Sequence, residues 1–316
     1  MGASLGQFTS SHEDDYLDYY ALAGSTINLG IRHKVDIDLG YGHEHESRGE
    51  GLSEGLGNQL TDPIEYDRET ANGKYTYGAD DAKGQLALSA GYENVTYTNY
   101  RNLTGINAAR SSRFKDYDSI ELAGELRVKT NRAFNTVFEI KNTETRYPFS
   151  SGQDNHLTLY YVGANWDVTG KTSGFAKIGM QDKRFENSSA DFSSLSWNVG
   201  FTWSPTDYAI IGLDTSKIAE DPSAISGYND TTKYGVYWQH AWMDRFSTRA
   251  SYRFNDEDYN KGSRLDKTHT YGISANYDFR RWMSLSFGVD ITDKESTQSG
   301  VGYDQTVFFS ALTISL

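Results

Sequence analysis

The sequence has no cysteine and only four prolines among its 316 residues. The missing cysteine excludes a disulfide scaffold and any thiolate-bound metal. Nowhere do 18 apolar residues run together, which excludes a helical membrane span. Basic residues are outnumbered, 30 Lys and Arg against 43 Asp and Glu, for a net charge of −13. Such a balance argues against nucleic acid as a partner. The opening Met1-Gly2-Ala3-Ser4-Leu5-Gly6 has neither a basic n-region nor an apolar h-region, so no targeting segment is expected within it. What is abundant points elsewhere. Aromatics make up 14% of the chain and glycine contributes 30 residues, whereas a disordered chain would be poor in aromatics. Rich in Tyr and Gly and nearly free of Pro, the sequence suits a large β-structure.

Alternation carries the main signal. Met283, Leu285, Phe287, Val289 and Ile291 share one parity, with Ser284, Ser286, Gly288, Asp290 and Thr292 on the other. The same holds for Leu195, Trp197, Val199, Phe201 and Trp203 against Ser196, Asn198, Gly200 and Thr202. A period of two places each set on its own face of a strand. The reading is all-β. About sixteen such segments of roughly 10–14 residues can be marked, against about 5–6 in a soluble strand. They start near Ala3, Tyr16, Lys34, Tyr66, Gly84, Tyr117, Ala133 and Asn155. The second half starts near Thr172, Ser193, Asp207, Thr231, Phe246, Thr268, Trp282 and Tyr303.

Connections alternate in length. Short turns are expected at 30–33, 79–82, 130–132, 170–171, 204–206, 244–245 and 280–281. Long polar loops are expected at 47–63, 101–114, 219–230 and 295–302. Short turns on one side and long loops on the other characterise a transmembrane up-and-down antiparallel β-barrel, with periplasmic turns and extracellular loops. A soluble sandwich would keep its strands short, and a propeller would repeat a motif every 40–50 residues or so. Tyr234, Trp238 and Trp242 share a parity, and Trp166 and Trp282 lie beside short turns, as rings at headgroup depth would. Residues 1–316 therefore read as a single barrel domain in the Gram-negative outer membrane, in contact with its lipid and lipopolysaccharide. The terminal strand, with Phe308, Leu312, Ile314 and Leu316 on one parity, looks like a barrel assembly signal.

With the apolar parity facing lipid, the other parity faces the lumen, because Arg or Lys at mid-depth in lipid costs about 2–4 kcal/mol. The lumen set begins with Asp36, Asp38, Lys74, Glu93, Glu121, Glu125 and Arg127. It continues with Glu139, Lys141, Tyr161, Lys177 and Asp214, and closes with Tyr237, Gln239, Arg249, Arg253, Asp278 and Asp290. Two readings compete: cross-strand ion pairs that hold the wall, or a hydrated path of mixed charge and exposed rings. Mixed signs favour neither strong cation nor strong anion selectivity.

Catalysis finds no support, since none of the seven His residues sits in a nucleophile–base motif. No cofactor signature occurs. In His43-Glu44-His45-Glu46 the two histidines share a face and could chelate a divalent ion. No third ligand is identifiable, so rim polarity is expected rather than metal.

The C-terminal half carries a resemblance. Its residues are Gly170-Lys171-Thr172-Ser173-Gly174, Leu195-Ser196-Trp197, Thr202-Trp203-Ser204-Pro205 and Ser216-Lys217. Tyr234-Gly235, Trp238-Gln239-His240 with Trp242, Arg280-Arg281-Trp282, and Tyr303-Asp304 with Val307-Phe308-Phe309 continue it. These strand and turn motifs are similar to those of the outer-membrane β-barrels encoded with bacterial exopolysaccharide synthesis and export systems. Such barrels carry a signal peptide and further sequence ahead of the stretch matching residues 3–10, so the start here reads as trimmed and eighteen strands are the alternative to sixteen. The resemblance implies an outer-membrane channel exporting an exopolysaccharide chain, partnered by periplasmic polysaccharide-export or co-polymerase proteins. The alternatives are a general or sugar-selective diffusion porin and a non-conducting barrel serving as an assembly platform.

Overall fold

The computed structural model describes residues 1–316 except 9, 10, 55, 57–59, 169, 188–190, 222–226, 261, 315 and 316, and the backbone alone at 106. Ser10 and Leu316, which belong to two of the readings above, lie outside the described residues. Sixteen antiparallel strands follow one another in chain order. The first eight are β1 (Gly2–Gly6), β2 (Tyr16–Asn28), β3 (His33–Glu46), β4 (Ile64–Tyr77), β5 (Gly84–Tyr97), β6 (Tyr117–Lys129), β7 (Phe134–Arg146) and β8 (Asn155–Val168). The second eight are β9 (Thr172–Phe185), β10 (Phe192–Thr206), β11 (Ala209–Glu220), β12 (Asn229–Met243), β13 (Phe246–Tyr259), β14 (Arg264–Arg280), β15 (Met283–Ser296) and β16 (Tyr303–Ile314). β1 and β16 stand at the ends of the ladder.

Most strand starts fall within two residues of the sequence reading, and the differences that change the layout lie around β10–β11 and at β14. Ser204-Pro205-Thr206 is not a turn: β10 runs through it, and the ladder with β11 shifts register between Trp203 and Thr206. Proline lacks an N–H to donate, and a bulge is where a strand can hold it. The turn falls instead at residues 207–208, so β11 starts at Ala209. β14 starts at Arg264 rather than Thr268, its extra turnward residues paired as Tyr259↔Arg264 and Glu257↔Asp266.

The two parities meet different surroundings. Phe287 is 56% exposed, Leu122 57% and Ile178 52%, values that only a non-aqueous surround makes reasonable for so many apolar side chains. Trp203, Trp238, Trp242 and Trp282 lie exposed on this apolar face toward the short-turn end, and Tyr92, Tyr160, Tyr234 and Tyr271 toward the long-loop end. Two aromatic bands bordering an apolar belt match the two interfaces of a bilayer. Among the described residues, compact apolar clusters form only at the long-loop end, where Leu52, Leu56 and Leu60 of the 47–63 loop pack with Ile64, Val95 and Tyr97. A second cluster joins Leu157, Leu159, Phe185, Phe192, Ala219 and Tyr228.

Candidate functional site

The ladder registers align the polar parity of every strand with that of its neighbours: Asp36 opposes Lys74, Gly91 opposes Glu121, Glu125 opposes Glu139, and Gly235 opposes Arg253. This face is the concave one. Lys177 on β9 reaches Glu125 on β6, with Nζ to Oε2 at 3.5 Å, and a side chain can pass over two intervening strands only across the inside of a curved wall. All eighteen residues assigned to the lumen set share this face by register, but the structure gathers them into separate groups.

The densest group spans β6 to β9. Glu125 and Glu139 stand directly opposite one another, a like-charge pair that would destabilise the ladder. Lys177 Nζ sits 2.5 Å from Glu139, and Arg127 Nη2 lies 2.6 Å from Glu125. Alongside, Lys141 Nζ meets Glu121 at 2.6 Å. Tyr161 shares a 2.5 Å hydrogen bond with Ser196, and the Tyr117 hydroxyl donates to Glu93 at 2.5 Å. A smaller group holds Asp36, which accepts from Thr26 at 2.7 Å and pairs with Lys34 at 3.2 Å. Asp38 lies against Gly24 on the next strand.

The wall from β11 to β16 differs. The Arg249 guanidinium carbon lies 3.8 Å from the centroid of the Tyr237 ring. That ring rests on Gly212 of β11, where a Cβ would come within 2.0 Å of Cε1. Glycine at 212 is what lets the ring lie flat. Phe309 lies over Gly288 in the same way, and outside this stretch Phe175 of β9 lies over Gly200 of β10. Asp214 covers Gly235, and Asp290 covers Gly272. With Arg249, Arg253 and Tyr237 these two carboxylates line a cavity of about 280 Å³. Gln239 is next to Arg249 in register, whereas Asp278 lies apart near the short-turn end, accepting from Asn276 at 2.9 Å.

One assembly escaped the sequence reading. Glu54, in the 47–63 loop, is drawn into the mouth and buried against β14 and β15. Arg264 Nη1 donates to it at 2.6 Å and Lys294 Nζ at 3.0 Å, while Arg264 Nε donates to Asp266 at 2.8 Å. Two anions and two cations thus neutralise each other under the loop. Arg110 donates to the Leu52 carbonyl at 2.9 Å, and Tyr303 to Glu50. The loop is polar in overall composition, yet Leu52, Leu56 and Leu60 recur every four residues within it, a spacing that marks it as packed. Beside it, Arg48 donates to Asp14 at 2.6 Å. Partial burial pushes the Asp14 carboxyl up, but the hydrogen bonds of Arg48 and Ser11, with the arginine's charge, outweigh it and hold the carboxyl below the usual range.

The two histidines of the 43–46 stretch take separate carboxylate partners. His43 Nδ1 is 2.8 Å from Asp67, and His45 Nδ1 is 2.8 Å from Asp18, so each ring has its own carboxylate. Ligand-type atoms of Glu144, His156 and Glu186 do lie within 4.8 Å of one another. Glu144 of β7, His156 of β8 and Glu186, one residue past the end of β9, come together only through the fold, so sequence spacing offered no signal. Glu144 is also bonded by Arg146 Nε at 2.6 Å.

Comparison with known proteins agrees with this architecture. The family model described as "Putative beta-barrel porin 2" matches residues 2–316, and the chain belongs to that family. Among curated proteins none matches the chain in sequence. Among solved structures, the FrpB iron transporter from Neisseria meningitidis (F5-1 variant, apoprotein form) aligns with a TM-score of 0.60 at 12% identity, over 94% of this chain and 56% of that one. The siderophore receptor PirA from Acinetobacter baumannii aligns with a TM-score of 0.50 at 10% identity, over 94% of this chain and 63% of that one. The chain therefore spans somewhat more than half the length of the solved barrels it matches. The likeness is one of fold, and with the family it places the chain among outer-membrane β-barrels of Gram-negative bacteria.

Proposed function

We propose that this porin-family barrel is an outer-membrane conduit through which an exopolysaccharide chain leaves the cell. The observation that carries the reading is a set of aromatic rings on the inner face, Phe175 of β9, Tyr237 of β12 and Phe309 of β16, each seated on a glycine of the adjoining strand. Hydroxyl and carboxylate groups stand between them. Sugars have apolar ring faces edged by hydroxyls, and such a wall meets both parts: rings for the faces, acceptors such as Asp214 and Asp290 for the hydroxyls. The internal pairing of Lys177, Arg127 and Lys141 removes strong charge traps from one side of the path. In this role the barrel receives polymer from periplasmic export or co-polymerase proteins and releases it through the lipopolysaccharide layer.

The inward 47–63 loop favours a second reading, a diffusion porin for small solutes, because a loop fastened across the mouth narrows it. Deletion of the gene decides between them. The conduit reading expects surface polysaccharide to disappear and to return with the wild-type gene; unchanged polymer with altered uptake of small sugars supports the porin.

A further inference from the structure

We propose that Arg249 and Arg253 form an anion subsite for the carboxylate-bearing sugar units of a polymer, an inference that rests on the conduit reading above. The two arginines are the exposed residues of β13. Neither makes an ion pair or a hydrogen bond among the described residues, whereas Lys177, Arg127 and Lys141 on the opposite stretch of wall are all paired. An arginine left without a carboxylate on a crowded polar wall has its donors available to something that is not part of the wall.

Geometry fixes what that partner is. Arg249 is stacked on Tyr237, which is itself seated on Gly212, so the guanidinium plane is held from one side. Stacking occupies the face of the group and leaves the in-plane N–H donors open, the arrangement suited to a planar carboxylate. Arg253 lies four residues further along the same face, about 13 Å at the rise of an extended strand. Two such positions meet successive charges on a chain rather than one small ion. Asp214 and Asp290 lie in the same cavity. They accept hydrogen bonds from sugar hydroxyls and repel densely charged groups, which favours a carboxylated sugar over a phosphorylated one. The same wall already takes a carboxylate nearer the mouth, where Arg264 and Lys294 hold Glu54.

The test is equilibrium titration of the purified full-length barrel in detergent with a glucuronate hexamer and, in parallel, with uncharged cellohexaose. The wild type is expected to bind the charged hexamer at least tenfold more tightly, with the preference falling as salt is raised. Arg249→Gln/Arg253→Gln is expected to lose that preference while keeping its heat-modifiable mobility, and Arg249→Lys to retain only part of it. Absence of saturable hexamer binding, equal binding of the two sugars, or an unchanged preference in the double variant overturns the proposal. The conduit reading fails separately. If gene deletion leaves surface polymer intact but arginine-dependent hexamer binding persists, the subsite stands and export falls. If polymer is lost but binding ignores charge, export stands and the subsite falls.

Discussion

Between β6 and β9 Glu121, Glu125, Arg127, Glu139, Lys141 and Lys177 are bonded to one another; on β13 Arg249 and Arg253 have no ion pair among the described residues, while nearer the mouth Arg264 and Lys294 are paired with Asp266 and with Glu54 of the 47–63 loop. Glu125 and Glu139 face each other across a ladder and need Lys177 between them. This stretch is a brace, since its cations answer a repulsion that the strand register itself creates. On the other stretch the register sets Arg253 between Gly235 and Thr270, and Arg249 between Gln239 and Ser274. No carboxylate stands directly opposite either arginine in the ladder; Asp214 and Asp290 line the same cavity without forming an ion pair with them. Nearer the mouth, Arg264 and Lys294 take Glu54 from outside the ladder. One wall closes its electrostatics internally, and the other leaves positive charge for an arriving carboxylate.

The largest effect expected from breaking this contrast is at the loop. Glu54, Arg264 and Asp266 are all 5% exposed or less, and removing one member of a buried charge group costs about 3–5 kcal/mol. Glu54→Gln is expected to free the 47–63 loop, raising single-channel conductance and protease access to the loop; conductance at the wild-type level would mean the loop does not restrict the path. Next comes the distinction between faces on which the comparison depends. Phe287→Arg puts a cation into the apolar belt at about 2–4 kcal/mol and should impair membrane assembly. Ser274→Arg, on the inner face, should assemble normally; equal assembly of the two variants would remove the distinction between the faces, and impaired assembly of Ser274→Arg alone would reverse it.

The contrast between the walls is then measured directly. Lys177→Met leaves two opposed carboxylates and is expected to cost about 1.5–3 kcal/mol, the range for hydrogen bonds to charged groups. Arg249→Gln loses a cation–π contact of about 0.5–1 kcal/mol. Urea unfolding of the barrel in lipid reads both. If Arg249→Gln proves as costly as Lys177→Met, the second wall is a brace too and its openness to ligand is lost as an argument.

Much of this fold was legible because a strand half in lipid and half in water must alternate, and one parity read from Met283 to Ile291 orients a whole segment. Residue parity also put Lys177, Glu125 and Glu139 on one face. It could not say which of them touch, because pairing between β6 and β9 depends on the curvature of the wall. Pro205 was misread as a turn because a bulge and a turn have the same local composition. The Glu54 network was illegible for a stronger reason: its partners stand 210 and 240 residues away, and nothing local distinguishes a loop glutamate that faces solvent from one that crosses a mouth.

The smallest effect concerns the loops above the braced wall. Lys115, in the 98–116 loop, is buried and donates to Gln153 Oε1 at 2.5 Å. Burial pushes its ammonium down to about 8, against the opposing attraction of Asp221 and Glu46. An unfolded loop would keep that proton to near 10.5. Below pH 8 the group is charged in both states, and stability does not change with its titration. Between about pH 8 and 10.5 the unfolded loop binds more protons than the packed one, so packing strengthens as pH rises. Subtilisin cleavage within residues 98–116 should therefore slow from pH 7.5 to 9.5 relative to Lys115→Gln, which cannot titrate there. A constant ratio between the two proteins, or faster cleavage of the wild type at pH 9.5, would show that this lysine does not hold the loops over the braced wall.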